Sequence, residues 1–204
     1  MKWSLRDWVY VAIFGALWGA VEITLGSYLH VIFPSLSNTF LNGLVLTFLG
    51  VVIALIGRRF VPHTGAVLMI GVVTVLLKLL SWGGVKIGPM VAILAEAALM
   101  EVGLLWGARR VSYLLAGLLA FAWNTVHPFI MLPLLFGLSL TEAYAKLVRD
   151  GVQALGRDLG SGALILFILF LIRIAVGSMA GWAAWELGRA VGRRRAVIRP
   201  ASES

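Results

Sequence analysis

The chain has 204 residues, 61% of them hydrophobic and 13% charged, with a net charge of +8. Soluble domains average about 45–50% apolar and about 25% charged residues, so the composition excludes an ordinary soluble domain. There is no cysteine, which excludes a disulfide frame and a thiolate metal site.

A membrane span needs about 20 mostly apolar residues. Six segments qualify, at roughly 8–30, 38–56, 64–81, 88–107, 111–136 and 160–188. The expected fold is an all-α integral membrane protein, a six-transmembrane-helix bundle. Residues 1–190 make one domain, and 191–204 form a basic cytoplasmic tail read as disordered. The first apolar run follows a basic start but is too long for a signal h-region, so it reads as a retained helix. Breaks between segments carry turn chemistry: Pro34 with Ser35 and Ser37, Pro62 before Thr64, Gly83-Gly84, Gly88-Pro89 and Gly160.

The basic residues set an orientation. Lys2, Arg6, Arg58, Arg59, Arg109, Arg110, Arg189, Arg193, Arg194, Arg195 and Arg199 flank alternate loops, and Lys86, Lys146, Arg149 and Arg157 flank the others. Eleven against four places both termini in the cytoplasm. The same clustering at helix ends explains the positive charge without nucleic-acid binding. Between the fifth and sixth spans, 137–159 repeats Leu140, Ala143, Tyr144, Leu147, Val148, Val152 and Leu155 at helical spacing, with Glu142, Lys146, Arg149 and Asp150 elsewhere on the turn. This is an amphipathic helix on the outer surface, either a connector or a lid.

Along the first helix, Ala12, Ala16 and Ala20 recur every four residues, with Gly15 and Gly19 beside them. Such a face lets helices approach closely in lipid, inside this bundle or on a partner. With six spans, cytoplasmic termini and this AxxxA ladder, the chain resembles the S components of energy-coupling factor (ECF) transporters, the substrate-binding membrane subunits of prokaryotic vitamin importers. Lys86 to Gly103, KIGPMVAILAEAALMEVG, is similar to the Gly-Pro-led fourth helix of that family. The resemblance implies residence in a prokaryotic cell membrane and coupling through Ala12, Ala16 and Ala20 to a transmembrane T component. It also implies two ABC ATPase partners and a small water-soluble vitamin or precursor as substrate. Residues 1–29 lack histidine, unlike the nickel and cobalt versions, so a metal substrate is disfavoured.

Ionisable residues lie within the spans. Glu22, Lys78, Glu96 and Arg173 each sit inside an apolar run. A charge at bilayer depth costs about 2.5–3.5 kcal/mol on insertion scales and usually faces a bundle interior. In the expected orientation most polar groups fall in the outer half, where an importer captures its substrate. Lys78, Glu96, Asn124, His127 and Arg173 are the candidate binding residues, with Trp82 and Trp123 as stacking surfaces. Asn124 and His127 share a helix face, and Pro128 opens a kink whose freed carbonyls are available to a cavity. The same charges also read as structural ion pairs, with Glu22 and Glu96 as counter-charges for Lys78. Tyr28 and Trp82 also read as interfacial anchors.

These residues favour a non-enzymatic binding and transport subunit that needs no cofactor or metal of its own. The chain has no Walker A sequence and therefore needs ATPase partners. A self-contained proton-coupled carrier using Glu22, Glu96 or Glu101 is the alternative, though no internal repeat supports it. An intramembrane enzyme fits less well, because His30, His63 and His127 lie on separate segments without an HExxH or nucleophile motif.

Overall fold

The computed structural model describes residues 3–32, 39–80, 87–156 and 160–198. Among them the protein is all-helical, with no strand. The helices are α1 (Leu5–Ile32), α2 (Thr39–Phe60), α3 (Ala66–Leu79), α4 (Ile87–Gly103), α5 (Arg110–Phe136), α6 (Leu140–Leu155) and α7 (Gly162–Ile198). Four of them contain stretches long and apolar enough to cross a membrane: Leu5–Gly26, Leu41–Phe60, Arg110–Phe136 and Gly162–Val191.

The two remaining apolar helices are shorter than the sequence pattern suggests. At 1.5 Å per residue, α3 reaches ~21 Å and α4 ~25 Å, against a hydrocarbon layer of ~30 Å. Glycines set these limits. Gly65 takes a left-handed conformation (φ 89°) and delays the start of α3. Gly107 (φ 89°) lies just past the turn that ends α4, so the fourth helix stops at Gly103 rather than 107. In the other direction, α7 continues to Ile198. Residues 191–198, the first part of the stretch expected to be a tail, therefore belong to α7.

The packing order is a closed ring: α1 on α3, α3 on α4, α4 on α5, α5 on α7, α7 on α2, and α2 back on α1. The α2 helix also touches α3, α4 and α5, which brings it toward the centre. Small residues permit the closest crossings. On α5 and α7, a Cβ at Gly117 would stand 2.1 Å from the Gly177 carbonyl oxygen, and one at Gly181 would stand 2.1 Å from that of Tyr113. The G-x-x-x-G pair Gly177 and Gly181 thus presses backbone on backbone, the geometry that substitutes for a hydrophobic driving force in lipid. The core is formed by Trp18, Val51, Leu55, Ile70, Met100, Tyr113 and Phe121, all nearly inaccessible. Many large apolar side chains, such as Ile13, Leu17, Leu76, Val126, Phe167 and Leu171, face outward. An exposed apolar belt of this kind suits a lipid surround and would be a liability in water.

The α6 helix is the amphipathic element, and it lies outside the ring against α7, α5 and α2. Ser139 accepts from the Glu142 N–H, and the Glu142 carboxylate accepts from the Ser139 N–H at 2.7 Å, forming a capping box. Gly137 (φ 65°) and Gly156 (φ 64°) bound the helix in left-handed conformations. Its buried side carries Ala143 and Gly151, and Val148, Val152 and Leu155 pack around Ile165 and Leu169 of α7.

Other polar groups serve the helix ends. Ser4 and Asp7 form a capping box at α1, and His63 lies 3.3 Å from the same Asp7 carboxylate. The Glu101 carboxylate on α4 accepts from the Val67 N–H at 2.6 Å. It supplies from another helix the cap that Gly65 cannot give to α3.

Candidate functional site

The candidate site is built around a proline. Pro128 has no N–H, so the carbonyl one turn back on α5, that of Asn124, loses its usual helical donor. The Arg173 guanidinium on α7 donates to this carbonyl. A proline on one helix thereby leaves a carbonyl for a buried charged side chain of another. Arg173 is 8% exposed.

The Asn124 side chain turns the other way, toward α2 and α4. Its amide nitrogen donates to Thr47 Oγ1 at 2.5 Å and to Glu96 Oε1 at 2.7 Å. Thr47 Oγ1 donates in turn to the same Glu96 oxygen at 3.0 Å. Both amide hydrogens and the hydroxyl hydrogen are therefore used, closing a triangle across three helices. Thr47 and Glu96 are each 4% exposed. A buried polar group is tolerated when its partners are present, and this cluster meets that condition.

His127, one turn after Asn124, faces α4. Its Nε2 lies 3.0 Å from the Gly88 carbonyl oxygen. A carbonyl only accepts, so Nε2 carries the proton. Trp123 meets the His127 ring edge-on, with centroids 5.8 Å apart. The buried Trp123 Nε1 and Thr125 Oγ1 have no hydrogen-bond partner among the described residues.

Of the two counter-charges the sequence offers Lys78, the structure pairs it with Glu22. Lys78 Nζ donates to the Glu22 carbonyl at 2.8 Å and lies 3.4 Å from the Glu22 carboxylate. Its counter-charge is Glu22, and the pair ties α3 to α1. Glu96 belongs to the Asn124 cluster instead. Trp82 lies outside the described residues, as do the side chains of Tyr28 and His30.

Two faces of α1 have different surroundings. A Cβ at Gly15 would stand 2.5 Å from the Val73 side chain, and one at Gly19 would stand 2.9 Å from Leu77. Internal packing therefore falls to the glycines, against α3. Ala12, Ala16 and Ala20 are exposed, in line with exposed Val9, Ile13 and Leu17.

Beyond Arg173, residues of α5, α6 and α7 line a partly open cavity of about 50 Å³. Thr125, Pro128, Phe129, Leu147, Asp150 and Arg173 are among its lining residues. Drug-sized ligands occupy roughly 300–1,000 Å³, so in this conformation the cavity admits only a few waters. Among the described residues no group of three or more His, Asp or Glu side chains is placed to hold a metal ion.

Sequence reasoning missed two members of this arrangement. Thr47 carries no signal, being one hydroxyl in an apolar run. Thr125 is equally plain. The docking of Arg173 on the Asn124 carbonyl was partly visible, since Pro128 marks which carbonyl is freed. Comparison with protein families, with curated proteins and with solved structures finds no match for the chain.

Proposed function

We propose that this protein is the substrate-binding S component of an importer of the energy-coupling factor type. It captures a small water-soluble, vitamin-like molecule at the outer side of a prokaryotic cell membrane. In this reading six helices of the ring cross the bilayer, both termini are cytoplasmic, and α6 lies on the outer surface. The short α3 and α4 pack side by side in the ring and still present Leu76 and Val102 on its outer face. A T component docks on the exposed Ala12, Ala16 and Ala20 face, and two ABC ATPases drive release. The observation that carries the proposal is the polar cluster of Thr47, Glu96, Asn124 and Arg173, drawn from four helices into one apolar bundle. Polar groups at such depth are costly, and they are kept where they handle a polar molecule. The unpartnered Trp123 Nε1 and Thr125 Oγ1 beside it support the reading, because orphaned buried donors mark places that a water or ligand fills.

Two measurements test it. Mass spectrometry of the protein purified from its native membrane should find a retained small molecule, and His127→Ala should weaken its binding about tenfold, the loss of roughly one good hydrogen bond. Ala16→Trp should abolish co-purification with the ATPases while leaving ligand affinity unchanged. Uptake by the chain alone, driven by a proton gradient and needing no ATPase, would overturn the proposal in favour of a secondary carrier.

A further inference from the structure

One end of the bundle gathers the starts of α1, α3 and α5 and the ends of α2, α4 and α7. There Arg59, in the last turn of α2, lies across the seam between α2 and α7. Its guanidinium carbon stands 4.6 Å from the centre of the Trp185 ring on α7. Its stem runs over Gly188, where a Cβ would meet Arg59 Cγ at 3.0 Å. Trp185 is braced edge-on by the fully buried Tyr113 of α5, with centroids 5.2 Å apart. Stacking occupies the face of a guanidinium and leaves the N–H fork along its edge for an anion. Among the described residues no carboxylate pairs with that fork. Neighbouring Arg58 differs, since it donates to the Val61 carbonyl at 3.0 Å. The carboxylates of Asp7 and Glu101 at this end are taken as well, by Ser4 with His63 and by the Val67 N–H.

Arg189, exposed on α7, follows Trp185 by one turn and shares its side of the helix. It too forms no ion pair among the described residues, with Glu186 or any other acid. In the other direction the stripe continues through Trp182 and Met179, 46% and 59% exposed. Over ~15 Å of helix rise, the surface of α7 thus passes from exposed apolar side chains to two cations. From Gly162 to Arg189 the helix rises ~40 Å, close to the ~40–45 Å of a bilayer with its headgroups. The arginines therefore suit headgroup level, and Trp182 and Met179 suit the acyl chains below it. We infer that this seam holds one anionic phospholipid, with its phosphodiester between Arg59 and Arg189 and its chains along Trp182 and Met179. The charges match: Glu186 is the one carboxylate on the stripe, so the two arginines leave a single positive charge for a singly negative phosphodiester. A soluble phosphate would use the cations and leave the apolar stripe idle, which favours the lipid. The inference goes beyond the transport reading and requires only that the chain resides in a membrane.

The test is thermal unfolding of the full chain in a neutral detergent with three probes. They are phosphatidylglycerol, zwitterionic phosphatidylcholine, and glycerophosphoglycerol, which is the anionic headgroup without chains. Phosphatidylglycerol should raise the melting temperature saturably, and the other two should raise it far less. Arg59→Gln with Arg189→Gln should weaken phosphatidylglycerol binding about thirtyfold, a factor of about five for each basic residue at an anionic headgroup. Trp185→Leu keeps both cations, removes the platform under one, and should weaken binding severalfold. Arg6→Gln, at an exposed arginine of the same end on α1, should leave it nearly unchanged. Arg189 is exposed, so Arg189→Gln reads the site even where Arg59→Gln disturbs folding. Equal shifts from the two lipids would reduce the seam to an apolar face, and equal shifts from phosphatidylglycerol and its bare headgroup would make it a soluble-anion site. A loss in Arg6→Gln equal to that in Arg189→Gln would reduce it to diffuse positive charge. Loss of a co-purifying protein in Arg189→Gln, with phosphatidylglycerol binding unchanged, would give the face to a protein partner. Each of these results, or no shift from phosphatidylglycerol, would overturn the inference and leave the transport proposal standing.

Discussion

Truncating Asn124 to alanine tests the polar cluster most directly. The substitution removes two hydrogen bonds, to Glu96 at 2.7 Å and to Thr47 at 2.5 Å. It leaves the Arg173 contact intact, because that bond goes to the Asn124 backbone carbonyl. A hydrogen bond to a charged group is worth about 1.5–3 kcal/mol and a neutral one about 0.5–1.5 kcal/mol, so the loss should be about 2–4.5 kcal/mol. For a chain of this length each kcal/mol moves the melting temperature by about 2–4 °C, giving a drop of roughly 4–18 °C. The assay is thermal unfolding of the purified protein in detergent, monitored by tryptophan fluorescence. A double-mutant cycle with Glu96→Leu isolates the pair. With no carboxylate left to strand, Asn124→Ala should cost at least about 1 kcal/mol less in that background. Additive losses, or an unchanged melting temperature for Asn124→Ala, would refute the claim that Asn124 satisfies Glu96.

Three further outcomes are expected. Gly117→Ala should weaken the α5–α7 crossing by about 3 kcal/mol or more, at the upper end of overpacking costs, because its Cβ would meet the Gly177 carbonyl at 2.1 Å; size-exclusion chromatography and thermal unfolding read this, and a normal variant would show that the helices stand further apart. The Glu142 carboxyl is held below its ordinary value of 4.5 by hydrogen bonds from the Ser139 N–H and hydroxyl. A depressed folded-state pKa means stabilisation that is complete above the unfolded value and lost as pH falls through the folded one. Amide protection at the start of α6, corrected for the intrinsic exchange rate, should accordingly fall on acidification below that value, and Glu142→Gln should flatten the dependence. Cysteines at Gln153 and Arg109, both exposed, test the membrane orientation: an impermeant thiol reagent on intact cells should label Gln153→Cys and spare Arg109→Cys, and the opposite pattern would reverse the assignment.

Composition and period were enough to find the helices. Runs of apolar residues located α1, α2, α5 and α7, because burial in lipid demands length and hydrophobicity, both readable one residue at a time. The amphipathic spacing of 137–159 was equally legible, and α6 lies there. Position inside an apolar run was legible too, and it singled out Glu22, Lys78, Glu96 and Arg173 as groups that need partners. Position along the chain does not say which way a side chain points around its helix axis, nor which helix stands opposite. The sequence therefore left Glu22 and Glu96 as equal candidates for Lys78. The ring order decided between them, setting α3 beside α1 so that Lys78 meets Glu22, and α4 beside α5 and α2 so that Glu96 meets Asn124 and Thr47. Thr47 and Thr125 were invisible for the same reason, since a hydroxyl in an apolar run gains meaning only from its neighbour across the interface. Pro128 is the intermediate case. Its chemistry frees one identifiable carbonyl, but only the packing of α7 on α5 brings Arg173 to it.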